Sequence, residues 1–181
     1  MPSWQKIARR IRVPLGFAFA AAYLWLAHPT RISLLGGSAL VLIGLIIRAL
    51  ASGHVKKNEE LTTSGPYAFT RNPLYLGSIV LAAGFVIASR SWIVAAIAVA
   101  LLFLIYLPVI RGEEQFLRAQ FAEYEQYSKT VPRLFPYREP YRSSHGSFKW
   151  HLYWKHREYN AAIGAAFMIA ALATKAFLLH K

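Results

Sequence analysis

Five apolar stretches constrain this chain more than anything else in it. Residues 13–27, 34–51, 74–88, 92–110 and 161–179 are dominated by Ala, Leu, Ile, Val and Gly. About 20 such residues in a helix cross the ~30 Å hydrocarbon core of a bilayer. Backbone immersed in lipid must satisfy its own N–H and C=O groups, so stretches like these fold as helices. Composition agrees, since 56% of the residues are hydrophobic and only 16% charged, too apolar for an ordinary soluble domain. The predicted fold class is all-α: a polytopic transmembrane helical bundle of about five membrane helices, with residues 1–181 as one domain. The first and third stretches are short. Arg48 and Lys175 interrupt two others near their ends, positions from which long basic side chains snorkel to the interface.

Charge sets the expected orientation. The net charge of +13 invites a nucleic-acid reading, but its distribution follows the membrane instead. Lys6, Arg9, Arg10, Arg12, Lys56, Lys57 and Arg71 fall on one side of the predicted spans. They are joined there by Arg111, Arg118, Lys129, Arg133, Arg138, Arg142, Lys149, Lys155 and Arg157. The other side keeps Arg31, Arg90, Lys175 and Lys181. This is the positive-inside bias, and it predicts a multi-pass protein with a cytosolic N-terminus and an external C-terminus. Anionic headgroups account for the surplus cations, and nucleic acid is not an expected partner. Basic residues, an apolar run and small residues around Ala20 imitate a signal peptide. The apolar core is long and further spans follow, so an uncleaved first helix is expected. Cysteine is absent, which removes disulfides, thiolate metal sites and a cysteine nucleophile.

The polar residues concentrate in two segments on the basic side. Between the second and third spans runs Gly65-Pro-Tyr-Ala-Phe-Thr-Arg-Asn-Pro-Leu-Tyr-Leu-Gly77. Pro66 and Pro73 fix φ and push the residues before them toward extended geometry, so this reads as a shaped loop feeding a helix start. Its plainer reading is a connecting turn with an interfacial tyrosine belt. His54 precedes it, as either an interfacial hydrogen-bonded residue or a ligand. The second segment opens at Arg111 with Glu113 and Glu114. Phe116, Leu117, Gln120, Phe121, Tyr124 and Tyr127 follow at three- and four-residue spacing, predicting an amphipathic helix over 111–127. The carboxylates suit the solvated first turn of a helix. Beside an arginine at a membrane exit they also suit a functional site. The basic, aromatic stretch 149–159 reads as an interfacial anchor. His151 and His156 are five apart and lack accompanying carboxylates, so no metal is expected.

Gly53-His-Val, Gly65-Pro-Tyr, Arg71-Asn-Pro-Leu-Tyr-Leu-Gly77 and Glu113-Glu114, with Leu117, Phe121, Tyr124, Tyr127 and Val131-Pro132 following in order, resemble the isoprenylcysteine carboxyl methyltransferase family. The related phospholipid methyltransferases share much of the pattern. The likeness covers about 44–136, leaving a last membrane helix at about 159–179 outside it. One position departs: the family typically has Arg-His-Pro where this chain has Arg71-Asn72-Pro73, so a histidine for proton transfer is missing there.

The resemblance implies S-adenosylmethionine as cofactor, enclosed at the cytosolic end of the helices. His54, Leu61, Ser64, Gly65, Tyr67, Asn72, Pro73, Tyr75 and Leu76 map onto the family's cofactor-binding pattern, with Glu113 and Glu114 as partners for cofactor hydroxyls or its amino group. Tyrosine faces suit a sulfonium cation, and carboxylates suit hydroxyls and ammonium. The acceptor would be a small lipid-borne molecule entering sideways between helices. A carboxylate acceptor such as an isoprenylcysteine needs no general base. It needs a cation, with Arg111 first and Arg71 second; Arg111, Glu114 and Arg71 are the catalytic candidates. An amine acceptor of the phosphatidylethanolamine type would need Glu113 or Glu114 as base. The other readings are a non-catalytic lipid-binding protein of the same fold and a membrane reductase using a nicotinamide cofactor.

Overall fold

The computed structural model describes residues 14, 18, 20–56, 59–136, 139–141 and 146–179. Most of the predicted first span lies outside them. So do Lys6, Arg9, Arg10, Arg12, Lys57, Arg138, Arg142 and Lys181 from the charge pattern.

All regular structure among the described residues is helical. Residues 20–26 form the described end of α1. They are followed by α2 (Arg31–Ser52), a 3₁₀ turn (Gly65–Ala68) and α3 (Pro73–Ser89). Then come α4 (Trp92–Leu101), a π-helical stretch (Leu102–Tyr106), α5 (Leu107–Gln120), α6 (Tyr124–Thr130), α7 (Trp150–Lys155) and α8 (Tyr159–Leu179). Among the described residues, three helices are long and apolar enough to cross a membrane: Arg31–Ser52, Trp92–Gln120 and Tyr159–Leu178. Pro73–Ser89 is apolar but shorter. Trp25, Ile32, Trp92, Phe103 and Phe167 are exposed on this bundle, as expected where lipid is the solvent.

Local chemistry sets the hairpin turns. Pro29 cannot continue α1, and Thr30 with Ser33 forms a reciprocal capping box that opens α2. The α3–α4 turn is the expected one over 89–91. Arg90 takes a left-handed φ of 51°, and the Ser91 hydroxyl accepts from the Val94 N–H. At the same end Lys175 Nζ donates to the carbonyls of Leu24 and Trp25, capping the carbonyl terminus of α1.

Helices α2 and α3 pack backbone to backbone through two glycine pairs. A Cβ on Gly37 would lie 2.5 Å from the Gly84 carbonyl oxygen, and one on Gly44 2.7 Å from that of Gly77. Both pairs are seven residues apart along their helices, so they fall on one face of each. Gly36 and Gly164 meet nothing within 4 Å and take no part.

The amphipathic segment differs from its expected form. It is not one helix over 111–127 but the continuation of a membrane helix to Gln120, a break at Phe121 (φ −123°, ψ 112°), and the short α6. Pro108 explains the π-helical stretch before it. Its ring removes one N–H and crowds the carbonyl four residues back, and a widened turn at 102–106 absorbs both effects. Tyr124, Tyr127, Val131 and Tyr141 then form a small buried cluster, with Leu61, Leu117 and Phe121 against it.

Candidate active site

The C-terminus of α2, the N-terminus of α3 and the last turns of α5 meet at one end of the bundle, and the connecting segments fold over them. Glu114 organises one half of this region. It is 7% exposed. Its Oε1 accepts from Asn72 Nδ2 at 3.1 Å, and its Oε2 accepts from Arg133 Nε at 2.9 Å and Nη2 at 2.8 Å. Arg71 Nε lies 3.6 Å from Oε1, close enough for electrostatic attraction but not for a hydrogen bond. The other Asn72 amide proton goes to the Arg133 carbonyl at 3.0 Å, and Thr70 Oγ1 donates to the carbonyls of Arg133 and Leu134. The Arg71 N–H donates to the Pro132 carbonyl at 2.9 Å. Glu114 thus clamps the 70–72 loop and the 131–134 segment onto α5. Two buried atoms in this cluster lack a hydrogen-bond partner among the described residues, Arg71 Nε and the Tyr124 hydroxyl.

His54, Ser64, Gly65, Tyr67 and Glu113 build the other half. Gly65 has φ 57°, and a Cβ there would stand 2.5 Å from the His54 ring. Only glycine fits both the conformation and the contact. His54 Nδ1 donates to the Leu50 carbonyl at 2.7 Å, and its ring meets Phe148 edge-on at 6.1 Å. Gly146 packs against Ser64, and the Lys149 N–H donates to the Gly53 carbonyl, so 146–149 covers this loop. Tyr67 is buried, and its carbonyl accepts from the Tyr127 hydroxyl at 2.7 Å. Burial pushes the Tyr67 phenol up, and the charges of Glu113 and Glu158 add to it, which puts both carboxylates within electrostatic reach. Tyr75 meets Tyr106 edge-on at 5.8 Å. Neighbours on a helix face about 100° apart. Glu114 is therefore spent on the clamp, while half-buried Glu113 makes no hydrogen bond or ion pair among the described residues.

The remaining expected residues are placed as follows. Pro73 is buried at the first position of α3, and the Leu76 N–H bonds to the Asn72 carbonyl. Leu61 belongs to the tyrosine cluster. Arg111 is exposed on α5 without a partner among the described residues.

A cavity of about 750 Å³ lies between α3, α4 and α8. Its walls are mostly apolar, with Phe85, Val94, Leu102 and Met168 among them. Arg48, Ser78, Tyr106 and Asn160 bring polar atoms to the end near the site. Arg48 does not snorkel outward as expected. It binds Glu158 through Nε at 3.1 Å and Nη2 at 2.7 and 2.9 Å, while Nη1 donates to Ser78 Oγ. A bidentate carboxylate outcompetes partial hydration at the interface for this guanidinium. The sequence carried half of the signal, a cation inside an apolar run, but not the carboxylate 110 residues away that pairs with it. Arg133 gave no comparable signal. Its role follows from the loop fold, not from its neighbours in sequence.

This site belongs to a recognisable class of membrane protein. Residues 32–124, just over half of the chain, match the phospholipid methyltransferase family description. The chain belongs to that family. It is 32% identical over 142 residues to the cobalt-zinc-cadmium resistance protein CzcN of Cupriavidus metallidurans, a match spanning 78% of this chain and 63% of that protein. It is 36% identical over 88 residues to the nickel-cobalt-cadmium resistance protein NccN of Alcaligenes xylosoxydans xylosoxydans, covering 49% and 41%. It is 30% identical over 144 residues to the protein-S-isoprenylcysteine O-methyltransferase of Schizosaccharomyces pombe, covering 74% and 59%. The chain thus spans less than two thirds of the length of each of these relatives. No solved structure matches. Two of these relatives are named for metal resistance; among the described residues of this chain, no three His, Asp or Glu side chains group as metal ligands would.

Proposed function

We propose that the protein transfers a methyl group from S-adenosylmethionine to the carboxylate of a lipid-borne acceptor. The observation that carries this reading is the 750 Å³ apolar cavity, whose polar end is joined to the loop site through the Tyr75–Tyr106 contact. Its size is that of a small-molecule site, about 300–1,000 Å³. Its apolar walls suit a hydrocarbon tail.

The residues at the loop site fit the cofactor. Gly65 lets the backbone come close to the His54 ring, Tyr67 and Tyr75 are aromatic groups of the kind that suit a cation, and Glu113 makes no hydrogen bond or ion pair among the described residues. When bound, S-adenosylmethionine supplies an electrophilic methyl group on a sulfonium. The chain's own tasks are binding, orientation and exclusion of water. Glu113 accepts hydrogen bonds from the cofactor's ammonium or hydroxyl groups. Glu114, with Arg71, Asn72 and Arg133, holds the 70–72 loop in place. The 146–149 segment packs over the loop that holds His54 and Ser64. A carboxylate acceptor is ionised at neutral pH, so no side chain has to remove a proton. Rate then comes mainly from positioning and desolvation. Exposed Arg111 is placed to attract an anionic headgroup toward the site. The site end is taken as cytosolic, because Lys56, Arg71, Lys129, Arg133 and Lys155 gather there and Arg31 and Arg90 lie opposite.

Isothermal titration of detergent-purified protein with S-adenosylhomocysteine tests the cofactor assignment. Micromolar binding is expected in the wild type, weakened at least about tenfold by Glu113→Gln. No binding at millimolar ligand would refute the reading.

A further inference from the structure

The cation nearest the cavity is already occupied. Arg48 lines the 750 Å³ cavity, yet its guanidinium is held by Glu158 and Ser78. The two charged side chains are 22% and 12% exposed. Three features make the arrangement look built for exchange. A Cβ on Gly77 would stand 2.7 Å from Arg48 Cγ, so the last glycine of the 65–77 segment gives the arginine its path along α3. Arg157, a non-glycine residue, holds φ 54° in the turn that presents Glu158, a conformation that persists only where surroundings enforce it. A second cavity, of about 230 Å³, flanks the pair on the side away from the first, between α2 and α8, with Tyr153 and Leu45 in its wall.

We propose that Arg48 is the receptor for the acceptor's carboxylate, and that Glu158 occupies it in the ligand-free protein as a stand-in which the acceptor displaces. The inference rests on the methyl-transfer reading and narrows it to acceptors that carry a carboxylate at the head of an apolar tail. Arg48 and Ser78 share the cavity wall with Tyr106, whose ring meets Tyr75 of the loop site, so a carboxylate taking the place of Glu158 is at the boundary between cavity and loop site. The smaller cavity gives the displaced Glu158 side chain room. Exchanging one carboxylate for another keeps the half-buried guanidinium paired, which avoids the cost of stripping a charge of its partner. A tail with an uncharged head gains nothing from displacing Glu158, and selectivity for the acid over its ester follows.

Binding can be measured without turnover. The probes are N-acetyl-S-farnesylcysteine and its methyl ester, titrated into detergent-purified wild type, Glu158→Gln, Arg48→Gln and Arg48→Lys, with S-adenosylhomocysteine titrated into the same samples. Glu158→Gln is expected to bind the acid about tenfold more tightly, because the competing charge is gone. Arg48→Gln is expected to bind it at least about tenfold more weakly, with Arg48→Lys in between and the ester indifferent to all three. If Arg48→Gln does not fold, the sign of the Glu158→Gln effect decides. Acid affinity that is unchanged or weakened in Glu158→Gln would overturn the exchange and leave a plain tie between α2 and α8. Loss of S-adenosylhomocysteine binding alone would refute the methyl-transfer reading but not the carboxylate receptor.

Discussion

Asn72 occupies the N-cap of α3, where an asparagine side chain ordinarily accepts from the first free N–H groups. Here it makes no such bond, and both amide protons go to Glu114 and the Arg133 carbonyl. A histidine at this position, as in the family pattern, has at most one N–H on each ring nitrogen and cannot give two protons from a single atom. The sequence reading marked Asn72 as unusual but could not say what it touches, because Arg133 is 61 residues away in the chain. Glu114→Gln should lower stability by about 2 kcal/mol, the value of a charge-assisted hydrogen bond. A larger loss is not expected because Arg133 is 43% exposed and screened by solvent; thermal unfolding in detergent measures it. Tyr124→Phe should be neutral or slightly stabilising, since it removes a buried hydroxyl without a hydrogen-bond partner among the described residues. A marked loss of stability there would show that the hydroxyl is bonded in solution. Burial also pushes the Tyr127 phenol up, as it does Tyr67. In the unfolded chain both phenols lose their protons near the ordinary value of about 10, while the folded protein keeps them. Stability from this source is therefore full below about pH 10 and lost as pH rises beyond it. The part of the tyrosinate absorbance that disappears in Tyr67→Phe and Tyr127→Phe should emerge together with loss of helical circular dichroism, not before it.

At the scale of elements, the spans were legible because twenty apolar residues leave a chain few alternatives. The turns between the first two spans and between the third and fourth were legible as the short gaps that separate the apolar runs. Which glycines matter was not legible, since composition cannot distinguish Gly36 from Gly37. Contact geometry can. Gly44→Ala should force α2 and α3 apart and cost about 1–3 kcal/mol, because its Cβ would meet the backbone of Leu81 and Gly77. Gly36→Ala should stabilise α2 by up to about 1 kcal/mol, because its Cβ meets nothing and alanine is the better helix former. Equal effects of the two substitutions would contradict the backbone packing described above. The 111–127 segment was read as one helix because apolar periodicity persists through Phe121, Tyr124 and Tyr127. Periodicity does not report the extended backbone at Phe121 that turns α6 back onto the loop. That turn brings Tyr127 to the Tyr67 carbonyl.

The whole molecule is a helical membrane protein of the phospholipid methyltransferase family, and that level was the most legible of all. Ordered motifs at both ends of a membrane hairpin pointed to the region where α2, α3 and α5 meet. The cavity was anticipated only as a sideways entrance between helices; its polar end was not, because Arg48 read as an interfacial anchor and Glu158 lies beyond the family's motifs. Long-range pairing of one cation with one carboxylate, 110 residues apart, is visible only once α2 and α8 are side by side. The central claim is methyl transfer to a lipid-borne carboxylate, and one assay addresses it directly. Purified protein is incubated with methyl-labelled S-adenosylmethionine and either N-acetyl-S-farnesylcysteine or phosphatidylethanolamine, and the lipid product is treated with base. The account predicts label in the farnesylcysteine product, released by base as methanol from an ester. Label that survives base in phosphatidylethanolamine, with none in the acid, would contradict it.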